Sequence, residues 1–215
     1  MSTMRVVATP HGDAHLVGDR SRHPICTLLL NHGAGGGIDA PELAALARDL
    51  PRQGISVLRL EQPWKVAGKK IAPAPASLDA ALRAAVDVIR VRTPLVIGGR
   101  SAGARSAARS ARSLGASGCL ALAFPLHPPG RPEKSRLDEL EAVGLPTLVI
   151  QGERDSFGGP DEFPPHHDLT VVPSADHGFR VPKRAVITSD EALGIIVEAT
   201  LEWIVREVVG NRSAG

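Results

Sequence analysis

From Pro41 onward, short apolar runs alternate with stretches whose apolar residues recur at helical spacing, and this alternation leaves few folds open. Ile55–Leu60, Leu95–Gly98, Cys119–Phe124, Thr147–Gln151 and Leu169–Val172 read as strands. Between them, Leu43, Leu46, Ala47 and Leu50, then Leu82, Ala85, Val86 and Ile89, then Ala104–Leu114 and Leu137–Val143 read as helices, and Asp190–Val209 as a closing helix. Ile25–Leu30 adds a strongly apolar strand ahead of this region, preceded by two shorter ones near Arg5–Ala8 and Ala14–Val17. Runs that are apolar at nearly every position suit strands covered on both faces. The pattern predicts an α/β fold, a mostly parallel sheet of about eight strands with helices on both faces and right-handed crossovers. No internal repeat or interdomain linker interrupts it, so residues 1–215 read as one domain. Glu61–Ala76, with Pro63, Pro73 and Pro75, reads as a long loop, and Ser77 as the N-cap of the helix after it.

In an open α/β sheet the reactive groups belong beyond the carboxyl ends of the strands. The strand Leu95–Gly98 runs into Gly99-Arg100-Ser101-Ala102-Gly103 and then a helix. This is the strand–turn–helix setting in which a G-x-S-x-G sequence presents a serine on a tight turn, with small neighbours where larger ones would collide. A serine hydroxyl is a weak nucleophile until a base takes its proton, so an acid and a histidine are needed downstream. Asp155 follows the strand Thr147–Gln151, and His177 follows Leu169–Val172. Ser101, Asp155 and His177 are therefore the candidate nucleophile, acid and base. Glu153 and Asp176 compete for the acid role, and His127, His166 and His167 for the base.

Such chemistry also needs backbone N–H groups aimed at the developing oxyanion. Ala102 supplies one candidate, and Ala34 or Gly35 in Asn31-His32-Gly33-Ala34-Gly35-Gly36-Gly37 supplies the other. That glycine-rich loop also lies where a nucleotide-binding loop would. However, Ile38 stands where a dinucleotide loop needs its third glycine, and no Gly-Lys-Ser/Thr follows.

Composition narrows the remaining classes. A net charge of +2 with 22% charged residues gives no basic face built for nucleic acid. The basic stretch Arg100, Arg105, Arg109 and Arg112 reads as a solvated helix stripe. The first residues lack an apolar signal core and no run is long enough to span a bilayer, so a cytoplasmic location without membrane contact is expected. Cys26 and Cys119 lie inside apolar strands and read as buried thiols, with no disulfide and no metal expected.

Taken together, Asn31-His32-Gly33-Ala34-Gly35-Gly36, Gln62-Pro63-Trp64, Gly98-Gly99-Arg100-Ser101-Ala102-Gly103, Phe124-Pro125-Leu126-His127-Pro128, Gln151-Gly152-Glu153-Arg154-Asp155 and Asp176-His177-Gly178-Phe179 resemble α/β-hydrolases. The resemblance is to a small dienelactone-hydrolase-like family. It includes the testis-expressed hydrolase-like proteins and the homologous domain of subunit three of the non-specific-lethal acetyltransferase complex. It implies an α/β-hydrolase fold, the roles already given to Ser101, Asp155 and His177, a small-molecule acyl substrate and no cofactor. Only Pro125–Arg136 separates a strand from the next helix where larger relatives insert a cap, so no cap domain is expected, and Trp64 and His127 are candidate walls of an open groove. Acyl transfer on the same residues, and a silent module that binds a protein partner, are the alternatives to hydrolysis.

Overall fold

The computed structural model describes residues 2–210; Met1 and residues 211–215, included above in the single domain, lie outside the described residues. Its centre is one eight-stranded sheet in the order β1-β2-β4-β3-β5-β6-β7-β8. The strands are β1 Thr3–Thr9, β2 Gly12–Asp19, β3 Cys26–Asn31, β4 Ile55–Glu61, β5 Leu95–Arg100, β6 Gly118–Leu122, β7 Thr147–Gly152 and β8 Asp168–Val172. β1 and β2 pair antiparallel, β2 joins β4 antiparallel, and every pairing from β4 to β8 is parallel. The helices are α1 Pro41–Asp49, α2 Pro63–Val66, α3 Pro75–Val88, α4 Ala102–Ser110, α5 Leu137–Glu141 and α6 Ser189–Trp203.

The central strands are apolar throughout because alternate residues enter different cores. Leu29, Ile97, Cys119 and Ala121 face a layer with Leu82, Ala107 and Leu140 from α3, α4 and α5. Leu28, Leu30, Val96, Leu120 and Leu122 face Leu43 and Leu46 of α1 and Ile196 and Trp203 of α6. Cys26 and Cys119 are buried free thiols in these two separate cores, so the sheet itself stands between them. Burial pushes both thiols up to about 12.

Several local features differ from the sequence reading. α3 starts at Pro75 with Ala74, not Ser77, at its N-cap, because proline at the first helical position has a suitable φ and no N–H to satisfy. The expected loop 61–76 contains α2. β6 stops at Leu122 because Ala123 turns the chain with φ 44°. α6 is capped reciprocally by Thr188 and Glu191 and passes into a wider helical turn over Ile204–Val209. The arginine stripe is not a free solvated face. Arg105 and Arg109 pair with Glu139 on α5, and Arg109 also with Asp79 on α3, at 2.6–3.2 Å. Burial pushes the Glu139 carboxyl up, but the Arg105 bond and the two guanidinium charges outweigh it and hold the group below its usual range. No helix among the described residues is long and apolar enough to cross a membrane.

Candidate active site

Ser101 stands between β5 and α4 with φ 54° and ψ −115°, a conformation unfavourable for a residue with a Cβ. Its N–H bonds to the Leu122 carbonyl at 2.9 Å, and its own carbonyl accepts from Arg105 N at 3.1 Å, so the turn is held from both sides. The neighbouring glycines are required by close backbone approach. A Cβ on Gly99 would lie 2.5 Å from the Asn31 carbonyl oxygen, and one on Gly103 would lie 2.7 Å from that of His32 and overlap that of Asn31.

The loops after β7 and β8 bring the other two predicted residues to this turn. Ser101 Oγ lies 2.9 Å from His177 Nε2, and His177 Nδ1 lies 2.8 and 3.0 Å from the two carboxylate oxygens of Asp155. Asp155 is buried, and its charge is met by further donors: Gln151 Nε2 at 2.9 Å and the Phe157 N–H at 2.8 Å. With Nδ1–H directed to the carboxylate, Nε2 faces the serine as an acceptor. The Phe157 ring stacks on the imidazole, centroids 4.2 Å apart and planes 29° apart. Phe157 was not singled out in the sequence, and Gln151 stood there only as the first residue of the motif ending at Asp155, with no role of its own.

The rival acids have other tasks. Glu153 accepts from the Ser174 N–H, and Asp176 Oδ1 accepts from the N–H groups of Gly178 and Arg180, forming the turn that carries His177. Glu153 N and Arg154 N in turn bond to the carbonyls of Val172 and Ala175, which ties the acid and histidine loops together.

The glycine-rich loop is anchored by its first two residues. His32 is fully buried; its Nδ1 donates to the Gly33 carbonyl at 2.8 Å and its Nε2 accepts the Gln62 N–H at 3.1 Å. Burial lowers the His32 pKa and keeps the ring neutral. Asn31 Oδ1 accepts from Gln62 Nε2 at 2.9 Å. Gly33 packs on Arg100, where a Cβ would sit 3.2 Å from the arginine carbonyl. Beyond it Ala34 and Gly35 are exposed, and neither they nor Ala102 spend their N–H groups on an acceptor among the described residues. Arg100 reaches back from the turn to the His177 carbonyl at 3.0 Å and to buried Glu42 on α1 at 3.5 Å. Burial pushes the Glu42 carboxyl up, and the guanidinium opposes that shift.

Residues 24–205 match the alpha/beta hydrolase domain family. The chain belongs to that family. Among solved structures, the chain is similar to an α/β serine hydrolase without a lid from Xanthomonas campestris, with 21% identity over 94% of both chains and a TM-score of 0.72. It is similar to dienelactone hydrolase from Anabaena variabilis, with 17% identity over 96% of this chain and 98% of that one, TM-score 0.72. It is also similar to Est1E from Butyrivibrio proteoclasticus, with 15% identity over 94% and 99%, TM-score 0.71. At these identities the likeness is one of fold. No curated protein matches the sequence.

Among the described residues no cap domain follows β6; residues 123–136 link β6 to α5 with a single short 3-10 turn. A cleft of about 570 Å³ lies beside the serine turn, lined by Gly35–Gly37, Glu42, Arg100 and residues flanking His177, among them Asp176 and Gly178. Ser101 and His177 border this cleft through their neighbours and do not line it. Two predicted wall residues are elsewhere. Trp64 lies on α2, 5% exposed, with its ring 5.1 Å from that of His32, so it braces the loop from behind. His127 is buried in its own connection, bonded to the Pro128 carbonyl at 2.9 Å and to Glu162 at 2.8 Å. Neither is among the residues that line that cleft, and Trp64 borders a separate one with Gln62, Pro63 and Ser77.

Proposed function

We propose that this α/β hydrolase is a serine esterase that cleaves an ester or related acyl compound through Ser101, His177 and Asp155. The observation that carries the reading is the unbroken hydrogen-bonded chain from Ser101 Oγ through both imidazole nitrogens to a buried carboxylate, with links of 2.9 and 2.8 Å. Ser101 Oγ attacks the acyl carbon while His177 Nε2 takes its proton, and Asp155 holds the Nδ1–H tautomer and balances the imidazolium. The oxyanion is met by the N–H of Ala102 together with that of Ala34 or Gly35. Collapse returns the proton to the leaving alcohol and leaves an acyl-serine. A water molecule, deprotonated by the same imidazole, then releases the acid and restores the hydroxyl.

Two similar structures bear the names of a serine hydrolase and a dienelactone hydrolase, which supports the reading of ester chemistry on this fold. We further propose, on the motif-level resemblance alone, that the chain is related to the testis-expressed hydrolase-like proteins and to subunit three of the non-specific-lethal complex. A silent partner-binding module would need a free surface to offer, and Arg105 and Arg109 of the arginine stripe are engaged within the molecule. A fluorophosphonate probe should label the wild-type protein and leave Ser101→Ala and His177→Ala unlabelled or nearly so. Equal labelling of wild type and Ser101→Ala overturns the assignment.

A further inference from the structure

At the end of the sheet away from Ser101, three side chains that the proposed chemistry does not use converge. His166 Nε2 lies 3.0 and 3.3 Å from the two oxygens of Glu141, and His167 Nε2 lies 3.1 Å from the first of them. The imidazoles are 4.5 Å apart at 37°, and the three ligand atoms all fall within 4.8 Å of one another. Glu141 is the last residue of α5, and the two histidines occupy the turn before β8. Consecutive residues of an extended segment point to opposite sides. Here the turn closed by the His167 N–H on the Pro164 carbonyl, at 3.1 Å, aims both rings at one carboxylate.

We infer that Glu141, His166 and His167 bind one divalent transition-metal ion of the zinc type. Two imidazole nitrogens and one carboxylate oxygen match the ligand preferences of zinc, cobalt and nickel, whereas magnesium and calcium favour all-oxygen sets. Around a tetrahedral zinc with bonds of about 2.0–2.1 Å, ligand atoms stand about 3.3–3.4 Å apart. The observed nitrogen–oxygen separations of 3.0–3.3 Å require shifts of only tenths of an ångström.

Without an ion, each Nε2 carries a proton directed at Glu141. On binding, each ring moves that proton to Nδ1, which has no partner among the described residues, and offers the Nε2 lone pair to the metal. His167 is 8% exposed at its side chain and His166 62%, which gives the ion a protein wall on one side and an entry path on the other. Asp168 borders the same cleft but is held by Arg206 at 3.3 Å, so water completes the coordination.

The site sits at the amino ends of β7 and β8, while Asp155 and His177 follow their carboxyl ends. The ion is therefore a staple between the end of α5 and the turn before β8, separate from the serine chemistry.

Tag-free protein stripped with a chelator and titrated with zinc by calorimetry tests this. The expected result is one saturable ion per chain, with a zinc-dependent rise in the thermal midpoint. Loss of a residue that merely supports a metal ligand costs about 10–100-fold in affinity, so Glu141→Gln, His166→Ala and His167→Ala should each weaken binding at least that much. Glu141→Gln should also keep its fluorophosphonate labelling, which shows that the fold is intact. Absence of saturable binding, or tight binding that persists in the double variant His166→Ala/His167→Ala, overturns the inference.

Discussion

Arg100 Nη2 donates to the main-chain carbonyl of His177 at 3.0 Å, so the residue before the candidate nucleophile also holds the loop that carries its candidate base. The same side chain packs on Gly33 and faces buried Glu42. One guanidinium thus spans the serine turn, the glycine-rich loop and the histidine loop. Misplacing reacting groups by about 1 Å can cost roughly 10²-fold in rate. Arg100→Met should slow fluorophosphonate labelling by about ten- to a hundredfold, and Arg100→Lys, which keeps the charge without the planar fork, should recover part of it. An unchanged labelling rate in Arg100→Met removes this positioning role.

Phe157 acts on the same histidine through its ring. Its backbone N–H bonds to Asp155 and survives any substitution except proline, so Phe157→Ala isolates the stacked ring. A ring–ring contact is worth about 0.5–1.5 kcal/mol, which corresponds to a rate loss of roughly two- to tenfold in labelling. Wild-type labelling kinetics in this variant would show that the hydrogen bonds alone orient the imidazole.

Gly103 shows how tightly the serine turn is built. A methyl group there meets the carbonyl groups of Asn31 and His32, all backbone atoms that no rotamer change can move aside. Overpacking of this kind costs about 1–3 kcal/mol or more, so Gly103→Ala should lower the urea midpoint clearly. Gly194 of α6 has nothing within 4 Å of the corresponding position. Gly194→Ala should stabilise by about 0.4–1 kcal/mol by reducing the conformational freedom of the unfolded chain. Equal effects at the two sites would contradict this account of the turn.

Burial of His32 makes stability depend on pH. Its folded pKa is lowered, so the unfolded chain, with an imidazole near the usual value of about 6.5, takes up the proton first as pH falls. Stability attributable to neutral His32 is present above that value and declines as pH drops below it. His127 opposes this: its bond to the Pro128 carbonyl and its pairing with Glu162 raise its pKa, so its contribution is present at low pH and fades as pH rises through the folded value. Thermal midpoints between about pH 8 and 5.5 should therefore fall more steeply on acidification in His127→Asn than in wild type, and less steeply in His32→Asn. Parallel profiles for all three proteins refute the assignment.

The layered sheet was legible because burial on both faces leaves continuous apolar runs between helical stretches. β3, β5 and β6 are covered on both faces and carry apolar residues at nearly every position, while β8 at the edge is half exposed and its boundary rests on less. Ser101 was legible for a related reason: Gly99 and Gly103 answer to steric contacts that any chain making this turn must meet. Where Trp64 and His127 point was not legible, because a residue next to a motif need not face it: Trp64 packs on His32, and His127 bonds to Pro128 and Glu162.

By itself, then, the sequence determined the order of the strands and of every helix but α2, the position of the serine on a tight turn, and the emergence of Asp155 and His177 at carboxyl ends of strands. These follow from local sterics and from the alternation that a two-faced sheet imposes. Only the tertiary structure decided which carboxylate meets His177, where Arg100 reaches, how Arg105 and Arg109 are paired, and that Glu141 lies against His166 and His167. Such contacts join residues far apart in the chain. They depend on the paths of loops and on which polar groups must find partners once water is excluded, and neither has a period that a sequence displays.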